Sequence, residues 1–423
     1  MKFKRQVWQT MIGILLASTC GLVAKADYYE QINLVANDAK YNPQIVDETL
    51  LNAWGIAIRP AGLGGHFWVT SNGNSTSNQY VGDVGGTPLF MDDLALIDLP
   101  GVGDAGSTPT GVIFNQGPNF EITQSHANGD INAPAKFVFV GDDGTITAWT
   151  ERNNGDGTID RPLDAVKLFD GSAAGQAYFG SAVSANFDRL YAADFGTNPD
   201  MRVFDGSFND ITASVPFANP FDEEDGVAGL QPGDYAPFNV QTLGPSGEES
   251  LFVAYAKTQP DENNPNEFFA GEEDADATLG RLAEFDFDGN LIATWNDGGL
   301  LNAPWGFANA PSNFGPYSDT LLVTNFGDGT IVAFNKETRT AIDFVRDSAG
   351  EPIEIEGIWG ITFGNGASLG ELNHLYFAAG PADEEDGLFG KIVSVPEPTS
   401  ACLLMLAFVP FMSYLRITTK KRT

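Results

Sequence analysis

The sequence predicts an all-β fold, a six-bladed β-propeller closed by its own N-terminal strand. Three observations point to it: abundant turn-forming residues, a phrase that recurs six times, and no amphipathic helical run between the recurrences. The 423 residues include 48 Gly and 24 Pro, more than long helices tolerate but in line with many short strands joined by turns. Hydrophobic residues make up 43% of the chain, ample for a buried core, so wholesale disorder is excluded.

The recurring phrase is a small or polar residue, a Pro or Ala, an aromatic or Gly, and an apolar stretch; a turn and a strongly apolar strand follow. It starts at Asn52-Ala53-Trp54-Gly55, Thr108-Pro109-Thr110-Gly111, Phe179-Gly180-Ser181, Ala236-Pro237-Phe238, Ala303-Pro304-Trp305-Gly306 and Gly357-Ile358-Trp359-Gly360. With Trp54, Thr110, Gly180, Phe238, Trp305 and Trp359 as markers, the spacings are 56, 70, 58, 67 and 54 residues. Each unit continues into a third strand with a hairpin cue, as at Asp143-Gly144, Asp288-Gly289 and Asp328-Gly329, because Asp-Gly accepts the positive φ of a tight turn. Four strands per unit make a blade. The last unit supplies only three, and Tyr29 to Val35, alternating apolar with polar, is the strand expected to complete the blade of Trp359 and remove the open edge. An eight-stranded barrel with an appendage is the alternative architecture, against which the sixfold repeat argues.

The two ends read as addresses. Lys2, Lys4 and Arg5 precede an apolar run that closes on Ala24-Lys25-Ala26, the pattern of a secretory signal peptide cleaved after Ala26. A lipoprotein reading through Cys20 is disfavoured by Ser18-Thr19 before it. At the other end Pro396-Glu397-Pro398 precedes an apolar stretch from Ala401 to Leu415 and a basic cluster of Arg416, Lys420, Lys421 and Arg422. That stretch is short of the roughly twenty residues of a permanent span, and the basic end favours the cytoplasmic side. An ordinary C-terminal anchor is the plainer alternative. The expected division is therefore 1–26 signal peptide, 27–395 propeller and 396–423 sorting segment. Both cysteines, Cys20 and Cys402, fall in the removable ends, leaving the mature domain without a disulfide.

This C-terminal layout resembles the PEP-CTERM sorting signal of Gram-negative bacteria. The resemblance implies an exosortase-type membrane protease as partner, transient membrane anchoring through the hydrophobic helix, and export to the cell envelope or extracellular matrix. Residues 28 to 395, through Asn52-Ala53-Trp54-Gly55-Ile56, Ala303-Pro304-Trp305-Gly306-Phe307 and Ile358-Trp359-Gly360-Ile361, resemble an uncharacterised group of exported bacterial proteins similar to NHL-type six-bladed propellers. No reaction transfers from that group.

The formal charge is −34, from 22 Lys+Arg and 56 Asp+Glu, and rises to roughly −42 without the two basic ends, which favours cations over anionic surfaces. Nucleic acid is excluded as a partner, since phosphate backbones are bound by the opposite sign. Propeller ligands bind where loops converge on the axis, and the apolar strands end near Asn72, Asp142, Asp194, Tyr255 and Asn325. Oxygen-bearing groups of this kind would suit calcium; the competing use, commoner for Asn and Asp, is to cap turns with their own backbone.

His66, His126 and His374 are the only histidines and lack paired metal-ligand spacing. No Gly-x-Ser-x-Gly occurs. Trp54, Trp305 and Trp359 could stack on sugars, but repetition at blade-equivalent positions favours packing. The acidic runs at 222–226, 272–276 and 383–387 read as solvated loops, the stretch from Gln259 to Ala277 as a mobile insertion.

Two functions compete. One is an exported binding or structural module of the surface or matrix, with extracellular polysaccharide as a partner and no catalysis. The alternative is a calcium-dependent hydrolase of the lactonase or esterase kind, supported by fold analogy alone.

Overall fold

The computed structural model describes residues 26–224 and 226–396. The expected leader through Lys25 and the sorting segment from Glu397 onward lie outside the described residues. Among the described residues, no helix is long and apolar enough to cross a membrane.

Six antiparallel sheets radiate from one axis. Blade 1 runs outward through Ala53–Ala57, Phe67–Ser71, Thr76–Tyr80 and Leu96–Asp98. Blade 2 is Pro109–Phe114, Phe137–Gly141, Thr145–Trp149 and Val166–Asp170. Blade 4 is Tyr235–Leu243, Ser250–Pro260, Gly280–Phe285 and Leu291–Thr294. Blade 5 is Pro304–Asn309, Leu321–Asn325, Ile331–Asn335 and Thr340–Phe344. The innermost strands touch in a closed ring, each against the next, and Ile358–Phe363 of the last blade returns to Ala53–Ala57 of the first.

The seam is closed as the alternation of its first strand predicts. Ala26–Ala36 pairs antiparallel with Leu388–Pro396, and with Leu375–Ala379 and Ile358–Phe363 completes blade 6. Tyr29 anchors this strand: its ring packs 4.8 Å from Phe314 and 5.9 Å from Tyr317, and its hydroxyl accepts from the Tyr317 N–H at 3.0 Å. A short strand, Ile45–Val46, then adds in parallel beyond the expected edge.

Burial explains why the second strands read as unbroken apolar runs. Phe67–Ser71, Phe137–Gly141, Leu321–Asn325 and Leu375–Ala379 are buried at every residue, because both faces of each sheet meet a neighbouring blade. The hydrophobic residues accordingly form six inter-blade clusters and a seventh on the axis. A fully buried Leu or Phe contributes about 1.5–3 kcal/mol, so stability is distributed around the ring.

Three expectations are corrected. Blade 3 has three strands, Tyr178–Val183, Arg189–Asp194 and Asp200–Asp205; beyond them the Thr212 side chain accepts from Val203 N–H at 3.0 Å, replacing a ladder bond at the position of a fourth strand. The acidic stretch from Gln259 to Ala277 is ordered rather than loose: Phe268–Asp274 pairs with the far end of Ser250–Pro260 and continues that sheet above the blade. The third concerns register. Phe179, not Gly180, is the counterpart of Trp54, because the recurring glycine follows the marker, as Gly55, Gly111, Gly180, Gly306 and Gly360.

That glycine sits where one inner strand meets the next. A Cβ on Gly306 would lie 2.4 Å from the Trp359 carbonyl oxygen, and one on Gly360 would lie 2.5 Å from that of Trp54. Side chains stitch the same contacts. Thr324 Oγ1 accepts from Gly306 N–H at 2.7 Å and donates to Trp359 O at 2.8 Å; Thr70 does the same for Gly55 and Thr110. Blade 4 has Asn239 in place of the glycine, and its Nδ2 donates to Trp305 O at 2.6 Å.

Candidate functional site

Loops that precede each inner strand and loops that follow each second strand open on the same face, so this face gathers residues from every blade. Its floor is aromatic. Trp54, Phe179, Phe238, Trp305 and Trp359 pack together on the axis with Phe195 below the loops of blade 3. Trp359 lies between two nearly parallel rings, Trp54 at 3.6 Å and Phe326 at 3.8 Å. Trp54, Trp305 and Trp359 are 2%, 4% and 1% exposed, so the repeated tryptophans fill the axis by packing and are not displayed for stacking on a ligand.

Above the floor stand carboxylates. Asp142 accepts from Asn72 Nδ2 at 3.1 Å and from the Thr108 hydroxyl. Burial pushes its carboxyl up to about 6, against those two bonds, and the charge of Asp143 adds to the rise. Glu384 accepts from Asn52 Nδ2 at 3.0 Å. Burial pushes it up to about 7, with the charges of Asp142 and Glu272 acting in the same direction. Glu273, on the raised strand of blade 4, is pushed up to about 7 by burial, and the charges of Glu384 and Glu272 contribute. Glu384 of blade 6 thus feels the charge of Asp142 on blade 2, and Glu273 of blade 4 feels that of Glu384.

Glu384 is joined to the floor. Asn52, which donates to it, accepts from Trp54 Nε1 at 2.8 Å. The backbone that delivers Glu384 is unusual: Ala382, Asp383 and Glu384 have φ of 60°, 52° and 66°, three successive non-glycine residues in the left-handed region. Such conformations cost about 1–2 kcal/mol per residue and persist where surrounding structure imposes them. Ala382 N–H to Glu356 Oε1 at 3.0 Å is one such restraint.

The structure brings together two of the five residues expected at the mouth, Asn72 and Asp142. Asp194 and Asn325 serve their own blades. Asp194 accepts from the N–H groups of Ala177 and Gly196 at 2.9 and 3.0 Å and from Arg202 Nε at 2.9 Å. Asn325 accepts from Asn302 N–H at 3.0 Å and donates to Leu300 O and Thr330 Oγ1 at 2.8 and 3.0 Å. Tyr255 lies in the hydrophobic cluster between blades 3 and 4. Asn52 and Thr108 open two of the repeat phrases but were not assigned to a site, and Glu273 and Glu384 belong to the acidic runs expected to be solvated loops. That expectation is corrected here, since Glu273 sits on a strand and burial raises both carboxyls.

The histidines remain apart. His66 is buried against Asp92 at 2.9 Å, and burial lowers its pKa; Asn128 N–H donates to His126 Nδ1 at 3.2 Å; burial also lowers His374, beside Lys391. Among the described residues, no group of three or more His, Cys, Asp or Glu side chains is arranged to hold a metal ion.

No family model matches the chain. It is 28% identical to an uncharacterised protein of Acanthamoeba polyphaga mimivirus over 362 residues, covering 86% of this chain and 80% of that protein. A second uncharacterised protein of the same virus is 28% identical over 349 residues, covering 82% and 81%. Among solved structures, a glucose dehydrogenase aligns at 14% identity and a TM-score of 0.41, over 81% of this chain and 96% of that one. Kuenenia stuttgartiensis hydrazine synthase aligns at 10% identity and 0.40, over 82% and 96%. Neither structural likeness adds to the functional reading.

Proposed function

We propose that this chain is an exported, non-catalytic propeller that acts by recognition on its loop face, retained at the cell surface or in the extracellular polysaccharide matrix after exosortase-type sorting. The observation that carries the recognition role is the hydrogen-bonded path Glu384–Asn52–Trp54, which ties an acidic rim to the packed floor and so presents carboxylates on a rigid base. Hydroxyl-rich polymers supply the donors that Asp142, Glu273 and Glu384 would accept. The sorting tail and the strong acidity support export and dispersal. The hydrolase alternative retains Asn72 and Asp142 of its proposed axial ligands, while Asp194 and Asn325 are committed within their blades.

Calorimetric titration of the mature protein with neutral oligosaccharides from the matrix tests the recognition role. Saturable binding that weakens about tenfold, a loss of roughly 1.4 kcal/mol, in Asp142→Asn/Glu384→Gln supports it. Affinity unchanged by that double substitution rejects the rim as the site. Mass analysis of the secreted protein's C-terminus tests the sorting step.

A further inference from the structure

A cavity lies between blades 3 and 4, lined by segments that open on the loop face. It encloses about 230 Å3, far above the roughly 15 Å3 that admits one water. Met201, Phe217 and Leu230 give it apolar sides, and Asp200, Asp222 and Tyr255 give it polar ones.

Tyr255 is 1% exposed and its ring is held edge-on by Phe221 at 5.0 Å. Its hydroxyl has no hydrogen-bond partner among the described residues; the polar groups acting on it are the charges of Asp200 and Asp222. A buried phenol normally finds a partner, so an unbonded one on a cavity wall marks a place for a ligand. Asp200 uses one oxygen to accept from Met201 N–H at 2.8 Å, and burial pushes its carboxyl up.

Arg202 already acts on Asp200 through its charge, opposing the effect of burial, but its hydrogen bonds, like those of Arg281, go to other groups. Arg202 is held by Asp194 at 2.9 Å and Asn198 O at 3.0 Å. Arg281 is held by Glu224 at 2.8 Å and lies over the Tyr235 ring. Asn219, also in the wall, is satisfied by Tyr235 O and Phe221 N–H at 2.6 and 2.9 Å.

We propose that this cavity binds a small organic ammonium ion, its charged head between Asp200, Asp222 and the Tyr255 hydroxyl oxygen, its apolar body against Met201, Phe217 and Leu230. A half-buried pair of carboxylates is stabilised by a cation that returns the hydrogen bonds and charge lost with water. The aromatic rings add cation–π attraction. None of the rim carboxylates Asp142, Glu273 and Glu384 lines this cavity.

The test is calorimetric titration of the whole mature protein with n-butylammonium chloride and, separately, with neutral n-pentanol of the same shape. Single-site binding of the cation is expected, with the alcohol at least about tenfold weaker. Asp222→Asn should weaken the cation about tenfold. Tyr255→Phe should weaken it several-fold while leaving the melting temperature unchanged, since the hydroxyl makes no internal bond. Glu121→Gln, an exposed acid elsewhere, should change nothing. Equal binding of alcohol and cation, loss in Glu121→Gln matching that in Asp222→Asn, binding unaffected by both cavity substitutions, or no saturable binding would each overturn the proposal.

Discussion

The indole of Trp54 lies 3.6 Å from that of Trp359 at an angle of 20°, although the two residues belong to the first and last blades. The contact exists because the ring of inner strands closes, and it makes the first and last blades share one hydrophobic cluster. Closure, axis and rim are therefore mechanically connected.

Removal of residues 26–36 should open blade 6 along Leu388–Pro396 and expose a row of unpaired backbone groups. Size-exclusion chromatography with light scattering should show aggregation, and the cooperative melt should be lost. A monomeric truncated protein with an unchanged melt would contradict the role of the seam.

Thr324→Val should destabilise by about 2–4 kcal/mol, because Gly306 N–H and Trp359 O both lose their partner while remaining buried. Thr324→Ser keeps the hydroxyl and should recover most of that loss. Denaturant midpoints for the pair check it, and a Thr324→Val variant as stable as wild type would contradict the role of the hydroxyl bridge.

Gly306→Ala should also destabilise, by about 1–3 kcal/mol, because its Cβ would meet the Trp359 carbonyl at 2.4 Å in a strand that cannot move without opening the ring. The melting temperature reports it; a melt unchanged from wild type would show that the inner ring yields more easily than its packing implies.

The rim acids make stability depend on pH. Asp142 is raised to about 6 and Glu273 and Glu384 to about 7, all above the unfolded carboxylate value of about 4. Between these limits the folded state binds more protons than the unfolded state, so stability falls as pH rises. The contribution is fully present below about pH 4 and is lost as pH passes through about 6 to 7. Urea unfolding at pH 5 and pH 8 should show this decline, and Glu273→Gln/Glu384→Gln should flatten it. A decline of equal size in the double variant would place its origin elsewhere.

Glu384→Gln should in addition remove the pH dependence of tryptophan fluorescence between pH 5 and 8, since Asn52 bridges that carboxylate to Trp54. An identical titration curve in the variant would break the proposed link between rim and floor.

The six apolar second strands, the alternating Tyr29–Val35 segment and the recurring tryptophans were legible because each encodes a local periodicity or a packing task repeated in every blade. The three-stranded blade 3 was less so. Residues after Asp205 turn back and pair only briefly, through the Phe204–Asp210 bridge and Ile211 N–H to Val203 O, while the Thr212 hydroxyl takes Val203 N–H, a detail that apolar patterning does not record. The run Glu272 to Asp276 was similarly opaque, since its order comes from pairing with the extended end of Ser250–Pro260.

By itself the sequence determined the number of blades, the strand that seals them and the aromatic filling of the axis, because hydrophobic periodicity and close-packing glycines act between neighbours in a repeat. Only the tertiary structure decided which acids face one another. Asp142 and Glu273 are far from Glu384 along the chain and come within electrostatic range of it because three blades turn their loops toward one axis, and electrostatic coupling depends on distance through space.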